Sequence, residues 1–387
     1  MKNDCEARMK IETKAVHAGR SIDQATGAIT PPIHLSSTFE RRPDGSYPTG
    51  FEYSRDGNPN RKALEECVCA LEDGQEAAAF SSGSVAAMTI FQALSPGDHV
   101  IAPDDLYFGI RQLLRDTFIP WGLEVTFVDM TDVSKTQKAV RRNTRLILAE
   151  TPSNPLIKIT DIRRTAEIAH DAGAYFLCDN TMATPILQSP LNLGADLVVH
   201  ATTKYLSGHD DVTGGIVVAK QGSELFQKIR KLQKIGGAIP SPFDCWLTLR
   251  GINTLPYRMR AHSENALKIA EFLNSHPAIE KVLYPGLASD VGHIIVSQQM
   301  APFGGMMSVH VNGGRDNAMG VAAKVRLFTR ATSFGGPHSL IEHRASVEEP
   351  GTKTPDNLLR LAIGLENVDD LIEDLAQALG ELETTRV

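Results

Sequence analysis

Two short apolar runs constrain this chain more than any other stretch, because one ends in an acid and the other leads to a lysine. Residues 175–178 (YFLC) have the composition of a buried β-strand and are followed by Asp179. Residues 196–200 (DLVVH) predict a second strand, and Lys204 comes shortly after it. We therefore expect two strand ends to deliver a carboxylate and an amine.

A carboxylate and a lysine placed in this way suit a site for pyridoxal 5′-phosphate (PLP). The lysine amine forms a Schiff base with the cofactor, and the carboxylate keeps the pyridine nitrogen protonated so that the ring accepts electrons. A lysine after a strand is also commonly an exposed surface group. The prediction therefore depends on the rest of the chain.

The turn at residues 81–84 (SSGS) predicts a phosphate site. It follows an alanine-rich run that resembles a strand and precedes an apolar helix. Small residues at the start of a helix let backbone N–H groups approach an anion, which the positive end of the helix dipole also attracts. An ordinary tight turn would account for the same residues.

A parallel β-α-β unit is predicted between the strands Leu146–Ala149 and Tyr175–Cys178. Apolar residues at helical spacing predict the intervening helix over 160–173. The right-handed crossover of such a unit places both strand ends at one edge of the sheet. Asn154 and Asp179 are therefore expected to face one crevice, where open α/β sheets bind ligands.

Length and sequence pattern predict three parts. The chain has 387 residues, more than one hydrophobic core usually holds. Residues 1–57 are rich in Pro, Gly, Ser and Thr but too apolar for a disordered tail, so we predict an N-terminal arm that contacts a neighbouring subunit. Residues 58–247 are predicted to form a large domain, and residues 248–387 a smaller C-terminal α+β domain.

Composition argues against several other classes of protein. The net charge is −7 and no basic run is present, so nucleic acid is not an expected partner. The N-terminus lacks an apolar segment and no long apolar run follows, so neither export nor a membrane is expected. The five cysteines, with Cys67-x-Cys69 unlike a zinc or redox pair, favour the cytoplasm and no metal site.

Six motifs together resemble the cystathionine γ-synthase/γ-lyase (trans-sulfuration, Cys/Met metabolism) family of PLP-dependent enzymes, from about Thr13 to the C-terminus. They are YSRDGNPN (53–60), SSGS (81–84), ETPSNP (150–155), DNTMATP (179–185), TTKYLSGH (202–209) and LLRLAIGLEN (358–367). The resemblance implies an α/β fold of the aspartate-aminotransferase type (PLP fold type I). That fold has a large α/β domain, a smaller C-terminal α+β domain and an N-terminal arm.

The resemblance also implies roles around the cofactor. Lys204 matches the Schiff-base lysine that carries protons, and Asp179 matches the partner of the pyridinium nitrogen. Tyr107 matches an aromatic residue that stacks on the ring and acts as an acid or base; a half-exposed loop tyrosine is the alternative. The other implied cofactor contacts are Asn154 at the ring hydroxyl, Gly83, Ser84 and Thr203 at the phosphate, and Tyr53 and Arg55 from the neighbouring subunit.

At the substrate end, Arg360 matches the arginine that binds the α-carboxylate, with Ser333 and Thr332 beside it. The implied reaction is γ-elimination or γ-replacement on a homoserine ester or cystathionine, performed by a homotetramer with shared active sites. The alternatives are a methionine γ-lyase, an O-acetyl- or O-succinylhomoserine sulfhydrylase, or a member with a changed substrate in a specialised pathway; β-elimination of cystathionine ranks third. The sequence does not identify the leaving group or the nucleophile.

Several residues near the predicted pocket differ from the family pattern. Ala201 stands where the family usually has a serine whose hydroxyl reaches the phosphate, and Thr202 would replace it only if the loop shifts. Thr332 stands where cystathionine-using members commonly have glutamate. The other differences are Phe108, Gly109, Ile110, Gln112, Pro337 and His338. Two explanations fit these differences. One is sequence drift at loop positions that tolerate substitution, and the other is a changed nucleophile or substrate.

Two rival classes fit the sequence less well. A nicotinamide-dependent dehydrogenase would explain a parallel sheet, but no Gly-x-Gly-x-x-Gly turn follows an early strand. A non-catalytic binding module should have lost Lys204, Asp179 or Arg360, and all three are present. We therefore predict an enzyme.

Overall fold

The computed structural model describes residues 9–348 and 354–383. The first eight residues of the predicted arm, and residues 349–353 and 384–387 of the predicted C-terminal domain, lie outside this part. The strands are β1 Glu76–Phe80, β2 His99–Pro103, β3 Glu124–Val128, β4 Thr144–Glu150, β5 Tyr175–Asp179, β6 Leu197–His200, β7 Gly215–Ala219, β8 Ile279–Leu283, β9 Met306–Val311, β10 Thr329–Arg330, β11 Leu340–His343 and β12 Leu358–Ala362.

Helices connect and cover these strands. They are α1 Ile11–His17, α2 Pro59–Leu71, α3 Gly83–Gln92, α4 Phe108–Gln112, α5 Ile119–Trp121, α6 Val133–Ala139, α7 Ile162–Asp171, α8 Thr184–Leu187, α9 Glu224–Gly236, α10 Pro242–Ile252, α11 Leu255–Ser275, α12 His293–Gln299, α13 Gly314–Lys324 and α14 Val368–Glu383. A π-helical segment (Leu113–Phe118) joins α4 to α5, and 3₁₀ turns form at Pro190–Leu193 and Arg344–Ser346.

A seven-stranded sheet organises the first half of the chain, in the order β1-β7-β6-β5-β4-β2-β3. The five strands from β6 to β3 run parallel, and β7 is antiparallel to both β6 and β1. Successive residues of β4 alternate between two apolar cores, with Leu146 and Leu148 in one and Ile147 and Ala149 in the other. This burial on both faces explains why the strands are nearly continuous apolar runs.

The predicted β-α-β unit is confirmed, with small shifts in its bounds. β4 and β5 are parallel neighbours joined through α7, which begins after the N-cap Asp161. β5 extends one residue further than predicted and includes Asp179, opposite Glu150 on β4. β6 starts at Leu197, one residue later than predicted, and the Asp196 carboxylate before it accepts a hydrogen bond from the backbone N–H of Phe176.

A second, five-stranded sheet follows, in the order β10-β11-β12-β9-β8. All its pairs are antiparallel except β10 with β11. Before this sheet the chain forms two consecutive helices, α10 and α11, separated by Asn253 and Thr254. The boundary predicted at residue 248 falls within α10, and the three-part division of the chain stays a prediction.

The described part of the arm has little regular structure beyond α1 and a bridge between Thr38 and Tyr53. Apolar side chains are exposed along it, including Ile29 and Leu35 at 83% and 74%. Its contact with a neighbouring subunit stays a prediction. No helix in the described ranges is long and apolar enough to cross a membrane.

Candidate active site

A cavity of about 270 Å³ lies where β4, β5 and β6 end. Ten of the predicted site residues line it: Gly83, Ser84, Tyr107, Asn154, Asp179, Thr203, Lys204, Thr332, Ser333 and Arg360. Tyr53 and Arg55 of the same chain are not among its lining residues. Arg55 instead donates a hydrogen bond to the Lys234 carbonyl at 2.9 Å, and its guanidinium lies 5.6 Å from the Tyr53 ring centre.

Lys204 projects its amine into this cavity from the loop after β6. The Nζ atom donates a hydrogen bond to Ser333 Oγ at 2.6 Å and lies 5.0 Å from the centre of the Phe334 ring. Burial, with a smaller contribution from Arg360, lowers the pKa of Lys204 to about 8. A substantial fraction of the amine is therefore neutral, and nucleophilic, near neutral pH.

Asp179 ends β5 beside a second acid. Its Oδ1 atom accepts a hydrogen bond from the backbone N–H of Thr181 at 2.9 Å, and burial raises the pKa of Asp179. Burial and the neighbouring Asp179 together raise the pKa of Glu150 well above its usual range. Because two adjacent buried carboxylates resist double ionisation, the pair favours a single negative charge, which a cation in the cavity would stabilise.

The loop and helix around Gly83 and Ser84, which also line the cavity, are suited to an anion. Ser82 caps α3 by accepting a hydrogen bond from the backbone N–H of Val85, which leaves the N–H groups of Gly83 and Ser84 without partners inside the helix. A Cβ atom at Gly83 would lie only 2.7 Å from the Cβ of Ala201. Glycine is therefore required for the close approach of these two loops.

The hydroxyl that Ala201 lacks is not supplied by Thr202. Thr202 is 2% exposed and does not line the cavity, so the loop shift that this replacement requires is absent. Thr203 Oγ1 accepts a hydrogen bond from the Gly214 N–H at 3.0 Å. Thr181 and Thr213, which the sequence analysis did not single out, also line this part of the cavity.

Arg360, which is predicted to bind the substrate carboxylate, lines the cavity. One terminal nitrogen donates to Asn154 Oδ1 at 3.1 Å, and the other donates to Glu342 Oε2 at 2.9 Å and to the Ser333 carbonyl at 3.1 Å. Burial and the neighbouring Arg344 lower the pKa of Arg360 to about 10. Ser333 has a φ of 88°, a strained conformation for a non-glycine residue that its hydrogen bonds to Lys204 and Arg360 hold in place.

Tyr107 lies at the open side of the cavity and is 43% exposed. Its backbone N–H donates to Glu150 Oε2 at 2.8 Å, which ties the tyrosine to the end of β4. A Cβ at Gly109 would lie 2.8 Å from the Tyr107 ring. A larger residue at this position would therefore require the ring to move.

The sequence analysis missed Glu150 and Arg344, which line the cavity, and Glu342, which accepts a hydrogen bond from Arg360. Glu342 and Arg360 are directly opposite on the antiparallel strands β11 and β12. Arg344 donates to Glu342 Oε2 at 2.8 Å and to Glu348 Oε1 at 3.1 Å. Glu150 is the first residue of the ETPSNP motif, so its place at the end of a strand was the available indication.

The arrangement fits PLP. The unpartnered N–H groups at the start of α3 suit a phosphate, the amine of Lys204 suits an aldehyde, and the Asp179–Glu150 pair suits a protonated ring nitrogen. The Asp179 carboxylate lines the cavity. It is therefore available to a ligand in the cavity. No cluster of His, Cys, Asp and Glu in the described residues could hold a metal ion.

Comparisons with known proteins agree with this geometry. The sequence pattern of the Cys/Met metabolism PLP-dependent enzymes matches residues 12–380. The chain is 48% identical to cystathionine γ-synthase of Mycobacterium tuberculosis over 95% of this chain and 96% of that protein. It is 43% identical to cystathionine γ-lyase of Dictyostelium discoideum over 96% and 97%. A solved cystathionine γ-synthase from Xanthomonas oryzae pv. oryzae, in complex with aminoacrylate and cysteine, superposes with a TM-score of 0.94 at 41% identity, covering 97% and 99%.

Proposed function

This chain belongs to the Cys/Met metabolism PLP-dependent enzymes, and from that premise we propose that it is a cystathionine γ-synthase that joins a homoserine ester to cysteine. It is a PLP-dependent enzyme of trans-sulfuration that acts at Cγ of an amino-acid substrate. The choice of γ-synthase rests on the higher identity to the mycobacterial γ-synthases, 47% to 48%, than to the γ-lyases, 42% to 43%.

The observation that carries the proposal is the set of groups that line one cavity. They are a lysine amine with a pKa of about 8, a carboxylate pair and a buried arginine. When bound, PLP supplies a ring that withdraws electrons from the substrate Cα. Arg360 would bind the substrate α-carboxylate and so fix the orientation of the Cα–H bond.

Proton transfers fall to the residues around that bond. Lys204 would remove the Cα proton and deliver protons along the substrate, because its lowered pKa lets it act as a base near neutral pH. Glu150 holds the backbone of Tyr107 at the open side of the cavity. Tyr107 would act there as an acid or base near the leaving group. Asp179 would hold the proton of the ring nitrogen, and Asn154 would hydrogen-bond the ring hydroxyl. The residues that would bind the phosphate are Gly83, Ser84 and Thr203. Thr332 and Ser333 would border the substrate.

The products distinguish the possible reactions. We expect the holoenzyme, given O-succinyl- or O-acetyl-L-homoserine with cysteine, to release cystathionine, which mass spectrometry would detect. With the ester alone, 2-oxobutyrate should appear more slowly. Cystathionine cleaved to cysteine and 2-oxobutyrate, without synthesis from either ester, would contradict the proposal and establish a γ-lyase.

A γ-lyase is the second candidate, since γ-lyases are 42% to 43% identical over nearly the same length. Thr332 is exposed and stands where cystathionine-using members commonly have glutamate. The product of a γ-synthase carries the same distal amino group as the substrate of a γ-lyase, so Thr332 does not distinguish the two reactions. The products named above decide between them.

We propose that the enzyme is a cytoplasmic homotetramer whose subunits share active sites, and the arm supports the sharing. Tyr53 and Arg55 lie outside the cavity of their own chain, and Tyr53 is 44% exposed. An arginine matches a phosphate by paired, charge-assisted hydrogen bonds. Arg55 would therefore reach the phosphate of the neighbouring subunit, so that an isolated monomer would be inactive.

Mixing two inactive variants tests this arrangement. Lys204→Ala and Arg55→Ala each lack one half of a shared site, so unfolding and refolding them together should restore about a quarter of the parent activity by random pairing. Each variant refolded alone is the control. Failure of the mixture to regain activity, with oligomers of normal size by light scattering, would show that Arg55 acts within its own chain or elsewhere.

A further inference from the structure

A buried acid, Glu72, contacts a buried histidine, His200, and the reaction as described above uses neither of them. Glu72 follows the last residue of α2, and His200 is the last residue of β6. Both side chains are fully buried, and His200 Nε2 lies 2.6 Å from Glu72 Oε1. Neither residue lines the cavity. The chain therefore keeps two titratable groups in its interior, close to the strand end that leads to the candidate lysine.

The two groups compensate each other. A carboxylate is costly to bury unless a cation pairs with it, and no arginine or lysine in the described part of the chain forms an ion pair with Glu72. The short contact with His200 therefore favours a carboxylate beside an imidazolium. Glu72 Oε2 and His200 Nδ1 have no hydrogen-bond partner among the described residues, so few polar groups screen the charge of the histidine.

Glu72 also joins the ends of two neighbouring strands. The same oxygen that contacts the histidine accepts a hydrogen bond from Asn180 Nδ2 at 2.9 Å. Asn180 directly follows Asp179, and its backbone N–H donates to the Val199 carbonyl at 3.1 Å. One carboxylate oxygen therefore connects the residue after β5 with the last residue of β6. These are the strand ends that deliver the candidate carboxylate and the candidate amine.

The histidine lies behind the sheet as seen from the cavity. Val199 is opposite Asp179 in the sheet and lines the cavity with it, and His200 is the next residue along β6. Successive side chains of a strand point to opposite faces of the sheet. Burial raises the pKa of Asp179, whereas the hydrogen bonds from Thr181 and the charge of His200 oppose that rise. A charged His200 therefore favours the ionised form of Asp179, which is the form that holds a protonated ring nitrogen.

We propose that Glu72 and His200 are positioning residues for the cofactor site: the pair fixes the turn that carries Asp179 and keeps the Asp179 carboxylate ionised. A carboxylate that is stabilised as the anion leaves the proton on the ring nitrogen. The proposal deepens the proposed function, since it rests on Asp179 as the partner of that nitrogen. It holds equally for an enzyme that makes cystathionine and for one that cleaves it.

The test compares three variants with the parent holoenzyme. His200→Gln removes the charge of the histidine but keeps an amide that can donate to Glu72. Glu72→Gln removes the acid, and the double variant removes both charges. We expect each variant to lower kcat for a homoserine ester with cysteine by about tenfold and to leave KM unchanged. With PLP enriched in 15N at the ring nitrogen, solid-state NMR of each variant should show that nitrogen shifted toward its unprotonated form.

Urea unfolding of the cofactor-free proteins distinguishes this role from a purely structural one. His200→Gln leaves a buried carboxylate without a cation and should lower the free energy of unfolding, whereas the double variant contains neither charge and should regain much of the loss. The low kcat and the altered ring-nitrogen signal should persist in the double variant. His170→Gln is the matched control, because His170 forms an exposed pair with Asp196 at 3.1 Å; it should resemble the parent in all three measurements.

A parental ring-nitrogen signal in a stable double variant would overturn the proposal, as would full recovery of kcat. A double variant that does not fold would also overturn it, since the pair would then serve the fold. The ring-nitrogen signal needs no substrate and decides even if neither ester is turned over. If Asp179→Asn leaves that signal unchanged, the role of Asp179 in the proposed function fails; if Asp179→Asn changes it and the double variant does not, only the present proposal fails.

Discussion

Lys204→Ala is expected to lower turnover of a homoserine ester by about 10³-fold or more, while the fold remains intact. The amine provides both the covalent link to the cofactor and the base at Cα in the proposed function. The loss in stability should be small, because among described residues the amine makes one hydrogen bond, to Ser333. Removing a buried amine also removes its desolvation cost, which is the main cause of its lowered pKa.

Reduction with borohydride and peptide mass spectrometry give a second readout. In the parent the tagged peptide should contain Lys204, and in the variant no tag should remain. Because the neutral amine is the nucleophile, the rate at which the stripped parent recovers PLP should rise with pH through the lysine pKa of about 8. Lys62→Ala, at an exposed lysine on α2, is the control and should keep full activity. A Lys204→Ala enzyme with more than a tenth of parental turnover would refute the assignment.

The sequence predicted the large sheet well because its strands carry their own pattern. Strands buried on both faces are short apolar runs, and a helix at regular spacing between two of them specifies a parallel crossover. This reasoning placed Asn154 and Asp179 at one edge, and both line the cavity. The ends of helices and strands were predicted less accurately than their positions. Contacts at these ends, such as the one between Asp196 and Phe176, involve residues distant in sequence.

The substrate end could not be predicted in the same way. Glu342 and Arg344 meet Arg360 because β11 pairs with β12 in one register, and no local pattern specifies that register. The resemblance pointed to Arg360 itself but not to the carboxylate that orients it. The raised pKa of Glu150 likewise depends on its position opposite Asp179, a contact between strands separated by a helix.

The link between the two sheets is the part of the site that depends most on tertiary structure. Arg360 on β12 of the second sheet donates to Asn154 in the loop after β4 of the first. It also donates to the Ser333 carbonyl, while the Ser333 hydroxyl accepts from Lys204. A substrate carboxylate that binds Arg360 would therefore compete with contacts that orient Ser333 and, through it, the lysine amine.

Asp179→Asn is expected to lower kcat by about 10²-fold or more, because an amide has the shape of the carboxylate but not its charge. The asparagine can still accept the hydrogen bond from the Thr181 N–H. The ring nitrogen would lose the negative partner that keeps it protonated, so the visible absorbance of the bound cofactor should also change. Asp211→Asn, at an exposed acid near the cavity mouth, is the matched control and should leave kcat and the absorbance unchanged.

The stability of the Asp179→Asn variant distinguishes a role of Asp179 at the cofactor from a role in the fold. Asp179 raises the pKa of Glu150, so replacing Asp179 by an amide removes a repulsion between two buried acids and should let Glu150 ionise at lower pH. The cofactor-free Asp179→Asn protein should accordingly be as stable as the parent, or more stable, in urea unfolding at pH 7. A variant that is both inactive and clearly destabilised would indicate that Asp179 serves the fold. A stable variant with parental turnover and absorbance would show that Glu150 alone can hold the proton of the ring nitrogen.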